Sequence, residues 1–247
     1  MNRLLWLMVL TLGWPLAGHA AAPSIQVGAM YEYLAPGQAS LLKRVHNRGT
    51  ATAFVRVSIR EVVYDQNLVA HEHEVDTAEE GGGGLIASPG RLIIPAQGQQ
   101  AVRLVFMGDR SRERYYRVRF VPVLPKAADE FALTTEEARD YDAQLSAGVN
   151  VLAGYGVFLI VHPDGAHPDV RTEQHPDHVL LHNVGNSTAV LDDVRTCTLA
   201  GRTESCAPSQ RIHLLPQRQH RLDQDQGQRH RLQVVEGERR RSLQLVP

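Results

Sequence analysis

The chain has 247 residues, 43% of them hydrophobic and 21% charged, with 20 Gly, 13 Pro and two Cys. That composition excludes a disordered chain and a disulfide-built miniprotein, and it leaves room for one large domain or two smaller ones. With 26 Lys+Arg against 27 Asp+Glu and a net charge of −1, bulk attraction to nucleic acid or to an anionic membrane is excluded as the organising principle.

Residues 1–20 read as a secretory signal peptide. Arg3 precedes an apolar run from Leu4 to Leu12, and Pro15 and the small-residue ending Gly18-His19-Ala20 follow, with cleavage expected after Ala20. The run is too short to span a bilayer, and no stable membrane insertion is expected. Export sets the redox compartment. Cys197 and Cys206, the only two cysteines, are then expected to form a disulfide rather than a redox-active or metal-binding pair, because no CxxC spacing accompanies them.

From residue 21 onward the dominant hydrophobic period is two. Ala53, Val55, Val57 and Ile59 alternate with Thr52, Phe54, Arg56 and Ser58 after the turn chemistry of Asn47-Arg48-Gly49, which predicts a half-buried strand. Similar runs at 25–34, 40–46, 91–94, 100–106, 115–123 and 149–161, punctuated by Gly and Pro, predict an antiparallel sandwich and an all-β fold. Two stretches interrupt the pattern. Glu79-Glu80 followed by four glycines is expected to be a flexible loop. In 127–146, Thr134-Thr135-Glu136-Glu137-Ala138 resembles a helix start, but the density of Asp and Glu argues for a mobile, solvated loop.

The composition shifts at His162-Pro163-Asp164-Gly165-Ala166-His167-Pro168, a stiff elbow. A second set of strands is predicted beyond it, at 178–182, 189–199, 211–214, 230–235 and 242–246. The boundary is drawn there, giving domains 21–163 and 164–247, the second small enough for a disulfide to supplement a modest core.

No GxSxG, HExxH, Walker or GxGxxG motif occurs, so no enzymatic activity and no cofactor are expected. The histidines His162, His167, His175, His178 and His182, with interleaved aspartates, and the pair His71 and His73 raise copper or zinc binding as an alternative function. Their spacing matches no tight ligand signature, and no metal ligand is assigned. The C-terminal arginines are interleaved with Asp and Glu and lack aromatic neighbours for base stacking, which reads as a solvated face. The most informative segment is 149–161. Val149, Val151, Ala153, Tyr155, Val157, Leu159 and Val161 form one row, and Gly154 and Gly156 precede Phe158 and Ile160 on the other. It is either a central core strand or an edge strand that offers its alternating row to a partner chain.

Several motifs together resemble a known family: Ser88-Pro89-Gly90-Arg91-Leu92-Ile93-Ile94-Pro95, then Gln100-Ala101-Val102-Arg103-Leu104, then Tyr115-Tyr116-Arg117-Val118-Arg119-Phe120, an acidic loop, the long strand ending in His162-Pro163, and a small second domain with a cysteine pair. The set resembles the periplasmic chaperones of the chaperone-usher pathway, most closely the alternate branch that serves class 5 fimbriae. The resemblance implies two immunoglobulin-like domains arranged as an L with a cleft between them. It implies pilus or fimbrial subunits and an outer-membrane usher as partners, and donor-strand complementation as the mechanism. It places Val149, Val151 and Ala153 as the inserting side chains, with Tyr155 and Val157 continuing the row. In the archetypal branch two basic residues hold the subunit's terminal carboxylate. The nearest positions here are Tyr31 and Phe158, which cannot, so Arg117 or Arg119 on the neighbouring strand becomes the candidate anchor.

Overall fold

The computed structural model describes residues 22–75, 83–126, 131, 133–146, 152–200, 203–225 and 227–245. The signal-peptide expectation, the 79–82 part of the glycine loop and the expected donor residues Val149 and Val151 lie outside the described residues.

The amino-terminal half folds through β1 (Ile25–Gln26), β2 (Tyr31–Leu34), β3 (Ser40–Asn47), β4 (Ala53–Tyr64), β5 (Ala70–Glu74), β6 (Gly84–Ser88), β7 (Arg91–Ile94), β8 (Gln99–Met107), β9 (Arg114–Pro122), α1 (Thr135–Ser146) and β10 (Tyr155–Val161). One sheet has the order β1-β3-β8-β6. The other runs β2-β10-β9-β4-β5, with β7 also paired to β4. The single run expected at 25–34 is two strands in different sheets. Gly28, at φ +69°, supplies the left-handed turn that lets the chain cross from one sheet to the other. The period-two residues meet between the sheets as expected. Ala53, Val55, Leu92, Val102, Leu104, Val118, Phe120, Val157, Leu159 and Val161 are fully buried in one core.

The stretch 127–146 departs from the expectation of a solvated loop, because 135–146 is helical. Thr134 and Glu137 form a capping box: Glu137 N donates to Thr134 Oγ1 (3.2 Å), and Thr134 N donates to Glu137 Oε2 (2.8 Å). Twelve residues are too few for a stable isolated helix. This one is held by packing, since Phe131 and Leu145 are buried, and Phe131 and Tyr141 each meet Phe54 edge-on.

The carboxy-terminal half comprises β11 (Val170–Gln174), β12 (His178–Asn183), β13 (Ala189–Ala200), β14 (Thr203–Cys206), β15 (Gln210–Leu214), β16 (Gln219–Asp223), β17 (Gln228–Glu236) and β18 (Arg239–Leu245). Sheets β11-β12-β16 and β14-β13-β17-β18, the latter joined by β15, enclose a separate core around Leu181, Leu191, Leu214, Leu232 and Val234. Cys197 and Cys206 face each other across β13 and β14 and are disulfide-bonded.

One corner occurs in both sandwiches. The buried Asn47 amide donates to the carbonyls of Ala51, Ile94 and Pro95, and its oxygen accepts from Ser24 N and Gly49 N. Asn183 donates to Ser187 O and Leu214 O and accepts from Gly185 N and Asp169 N. The glycine two places on is required each time: a Cβ on Gly49 would sit 2.1 Å from Ala22 O, and one on Gly185 2.2 Å from His167 O. The fold is thus two immunoglobulin-like sandwiches built on one repeated corner.

Candidate strand-lending edge and interdomain cleft

Strand β10 is flanked unequally. On one side it pairs antiparallel with β9 along its whole length, Tyr155 to Val161. On the other, the parallel partner β2 covers only Phe158 to Val161. Phe158 N donates to Met30 O (2.8 Å), and His162 N donates to Leu34 O (3.0 Å). Since backbone groups alternate sides along a strand, those of Gly156 and Gly154 point to the same edge, beyond the reach of β2. Among the described residues no strand pairs with that edge.

The side chains divide by parity. Val157, Leu159 and Val161 are fully buried in the sandwich's own core, and Tyr155 packs against it half-buried. Ala153, of the same parity, is exposed. The structure therefore separates the predicted row: Val157 is a core residue here, Tyr155 stands at the margin, and Ala153 stands beyond it. On the opposite face Phe158 and Ile160 join Val62 in a small cluster flanked by Tyr33, Tyr64 and Tyr115, and the second sandwich meets the first beside that cluster.

There, Tyr31 stacks on His213 of β15 at 3.6 Å, and Tyr33 Oη hydrogen-bonds His213 Nδ1. Burial, with the positive Arg211 nearby, lowers the His213 pKa to about 4, so the ring is neutral at neutral pH. Arg211 is held by both oxygens of Asp192, at 2.8 and 2.9 Å. Met30, Tyr31, Tyr33, Arg211, His213 and Arg240 line a cleft of about 460 Å³ between the sandwiches. Behind it, the buried carboxylate of Glu113 accepts from Thr188 N (2.7 Å), Thr188 Oγ1 (2.5 Å) and His162 Nδ1 (2.8 Å). It thereby ties the turn before β9, the elbow and the second sandwich together. Arg218 adds a cation–π contact with Tyr64 (4.7 Å) and a bond to Leu68 O (3.1 Å). Sequence reading missed Glu113 and Arg218, which look like ordinary members of charged runs. Their Thr188 and Tyr64 partners lie 75 and 154 positions away.

The candidate anchors Arg117 and Arg119 both project over the outer face of β9 and share one carboxylate. Arg117 Nε lies 2.8 Å from Glu72 Oε1, and Arg119 Nη2 lies 2.5 Å from Oε2. Arg117 also lies over the Phe158 ring (5.6 Å) and in van der Waals range of where a Gly156 side chain would be. Tyr31 is an aromatic wall of the cleft, 5.7 Å from the Phe158 ring centroid.

The histidines are dispersed among local partners. His71 pairs with Asp65 and His162 with Glu113. His175 stacks face to face on His178 at 4.3 Å and 8°, which keeps their in-plane lone pairs from converging on one ion. Among the described residues the one grouping with ligand atoms close enough to hold an ion is Cys197, Glu204 and Cys206, whose sulfurs are already joined. Also among the described residues, no helix is long and apolar enough to cross a membrane.

A two-sandwich chain with a partly uncovered last strand in its first half and an aromatic cleft beside it has the fold of the fimbrial chaperones. The class 5 fimbriae chaperone CfaA superposes with a TM-score of 0.55 at 16% identity, covering 91% of this chain and all of that one. The Escherichia coli chaperone DraB gives 0.53 at 14%, covering 92% and 98%. In sequence the chain is 28% identical over 162 residues, or 65% of its length, to a protein of the CS1 fimbriae of Escherichia coli, and the match spans 63% of that protein. It is 23% identical over 218 residues to EcpB of Escherichia coli O7:K1, named as a probable fimbrial chaperone, covering 87% of each chain. No family model matches the chain.

Proposed function

We propose that the protein is a non-enzymatic periplasmic chaperone that captures pilus or fimbrial subunits by lending them a strand and passes them to an outer-membrane usher. The observation that carries this reading is β10, a strand paired to β9 along its whole length whose other edge, at Gly154 and Gly156, has no strand partner among the described residues. A subunit lacking one strand exposes a groove and open edges and aggregates unless another chain fills the gap. A free edge supplies backbone hydrogen bonds, and an alternating apolar row supplies specificity. Ala153 and Tyr155, with Val149 and Val151 before them, are the row on offer, and the buried Val157 roots it in the first sandwich. The two cores support taking 21–163 and 164–247 as the units. Similarity to proteins named as fimbrial chaperones supports the same reading, as does the fold shared with CsuC, which forms a chaperone–tip adhesion subunit pre-assembly complex with CsuE in the Csu pili of Acinetobacter baumannii. The CS1 relative and a CFA/I relative are named as fimbrial subunits. A subunit that receives a strand would lack its own last one, whereas here β10 is in place, which favours donor over recipient.

The test is periplasmic co-expression with a panel of pilins, comparing wild type with the Val149→Glu, Val151→Glu double variant. Wild type should recover soluble pilin in a one-to-one complex, and the folded double variant should recover none. Equal recovery by both would remove the strand-lending role.

A further inference from the structure

Two charged side chains occupy core-facing positions at one side of the first sandwich. Lys43 lies in the inward row of β3 with Leu41, Val45 and Asn47 and stands opposite the fully buried Val102 of β8. Glu32 shares its parity on β2 with the fully buried Leu34 and stands opposite the fully buried Leu159 of β10. The two meet across the sandwich, where Lys43 Nζ donates to Glu32 Oε1 and to Ala29 O, each at 2.6 Å. Lys43 is only 4% exposed. Taking two charges out of water cancels most of their attraction, and well-packed apolar side chains of similar volume are commonly as stabilising or more so. A pair in such a place is better explained by the geometry it selects than by stability.

That geometry is the point at which the amino-terminal chain leaves the sheet of β10. Strand β2 pairs with β10 in one parallel register, from Tyr31 opposite Phe158 to Leu34 opposite Val161, and begins there. Carried back, the same register would set Met30, Ala29 and Gly28 opposite Val157, Gly156 and Tyr155, and the chain would cover its own free edge. Instead it turns at Gly28, at φ +69°, buries Val27 in the core and joins the other sheet with Gln26 opposite His46 of β3. The Lys43 ammonium, reaching from β3, holds Glu32 inside the paired stretch and Ala29 two residues before it. We propose that Lys43 and Glu32 are positioning residues for subunit capture: they pin the crossing at Ala29, which keeps residues 28–30 off β10 and leaves the edge at Gly156 and Gly154 open to an extended segment of another chain. This rests on the strand-lending reading above and adds that the free protein is held against closing its own edge. The space kept clear is a recess of about 280 Å³ lined by Gln26, Val27, Gly28, Met30 and Tyr155.

The experiment uses the full chain and the pilin recovered by co-expression. Lys43→Met combined with Glu32→Met replaces the pair by apolar side chains of similar length. Lys43→Met alone removes both bonds from Nζ, while Glu32, 28% exposed, keeps access to water. In the wild type the Gly156 amide should exchange with solvent as an unprotected group. In both variants β2 should lengthen along β10, and Gly156 exchange should slow about tenfold, the factor that matches about 1.4 kcal/mol, within the net range for one hydrogen bond. An edge open about a tenth of the time captures about tenfold more weakly, so pilin capture in a competition assay should fall by that factor while exchange in β4 and β9 stays as in the wild type. Capture at the wild-type level by either folded variant would overturn the proposal. So would weakened capture with Gly156 still exchanging freely, because the pair would then act somewhere other than the edge. If the wild type itself captures no pilin, it is the strand-lending reading that fails, and Gly156 exchange alone still tests the pinning.

Discussion

At the scale of single residues, the informative contact is the one Glu72 makes. It pairs with Arg117 and Arg119 at once, in the geometry by which a guanidinium pair would hold a terminal carboxylate. An incoming carboxylate therefore competes with an internal one, and anchoring by the two arginines would weaken that pairing. Glu72→Gln should leave stability within about 1 kcal/mol, because the pair is partly exposed, while tightening subunit capture several-fold in a competition assay. Unaltered capture would eliminate both arginines as the anchor. The residue types were legible in the sequence. What was not legible is Glu72, 45 positions away, because in the His71-Glu72-His73 run the flanking histidines draw the reading toward metal ligation.

Among the elements, the two asparagine corners do similar work in the two sandwiches. Asn183 satisfies two backbone carbonyls and two backbone amides from a fully buried site. Asn183→Ala would strand those groups away from water, and each unpaired buried polar group costs about 1–3 kcal/mol. A loss of roughly 3 kcal/mol or more in chemical denaturation is expected on that basis, concentrated in the second sandwich by amide exchange; a loss below about 1 kcal/mol would contradict the accounting. The turn chemistry of Asn47-Arg48-Gly49 was visible in the sequence, whereas its partners were not. Helix α1 carries the same lesson in reverse. Its start was recognisable at Thr134 to Ala138, but its charge argued against it, since the decisive partner, Phe54, is an outward-facing residue of a strand some eighty positions earlier.

For the whole molecule, the relation between the sandwiches depends on groups whose protonation is constrained. His213 is half-buried against Tyr31 and Tyr33 of β2, with Arg211 and Asp192 beside it and Arg240 farther along the same cross-strand row of its sheet. Its folded pKa of about 4 lies below the ordinary 6.5, so in that interval the unfolded chain binds more protons than the folded one. The contribution is complete above about pH 6.5 and is lost as pH falls toward 4, and the partly buried His220, also shifted down by burial, acts in the same direction. Thermal unfolding should accordingly drop by several degrees between pH 7 and pH 4.5, and His213→Phe, which keeps the stack without the titration, should flatten part of that slope. A slope identical to wild type would place the sensitivity elsewhere.

The sequence by itself determined the class of structure: period-two runs, Gly and Pro punctuation, an elbow at residues 162–168 and a cysteine pair require sandwiches, because alternation can be satisfied only by burying one face of a sheet. It also marked the 149–161 row as the segment to watch. Only the tertiary structure decided which described members of that row are core and which are exposed. The open edge at Gly156 depends on where β2 stops pairing with β10, and pairing extent is a property of two strands more than a hundred positions apart. The same reason places Glu113 under Thr188 and Phe54 under Tyr141: a side chain's role is set by what the fold brings over it, and local pattern carries no record of that partner.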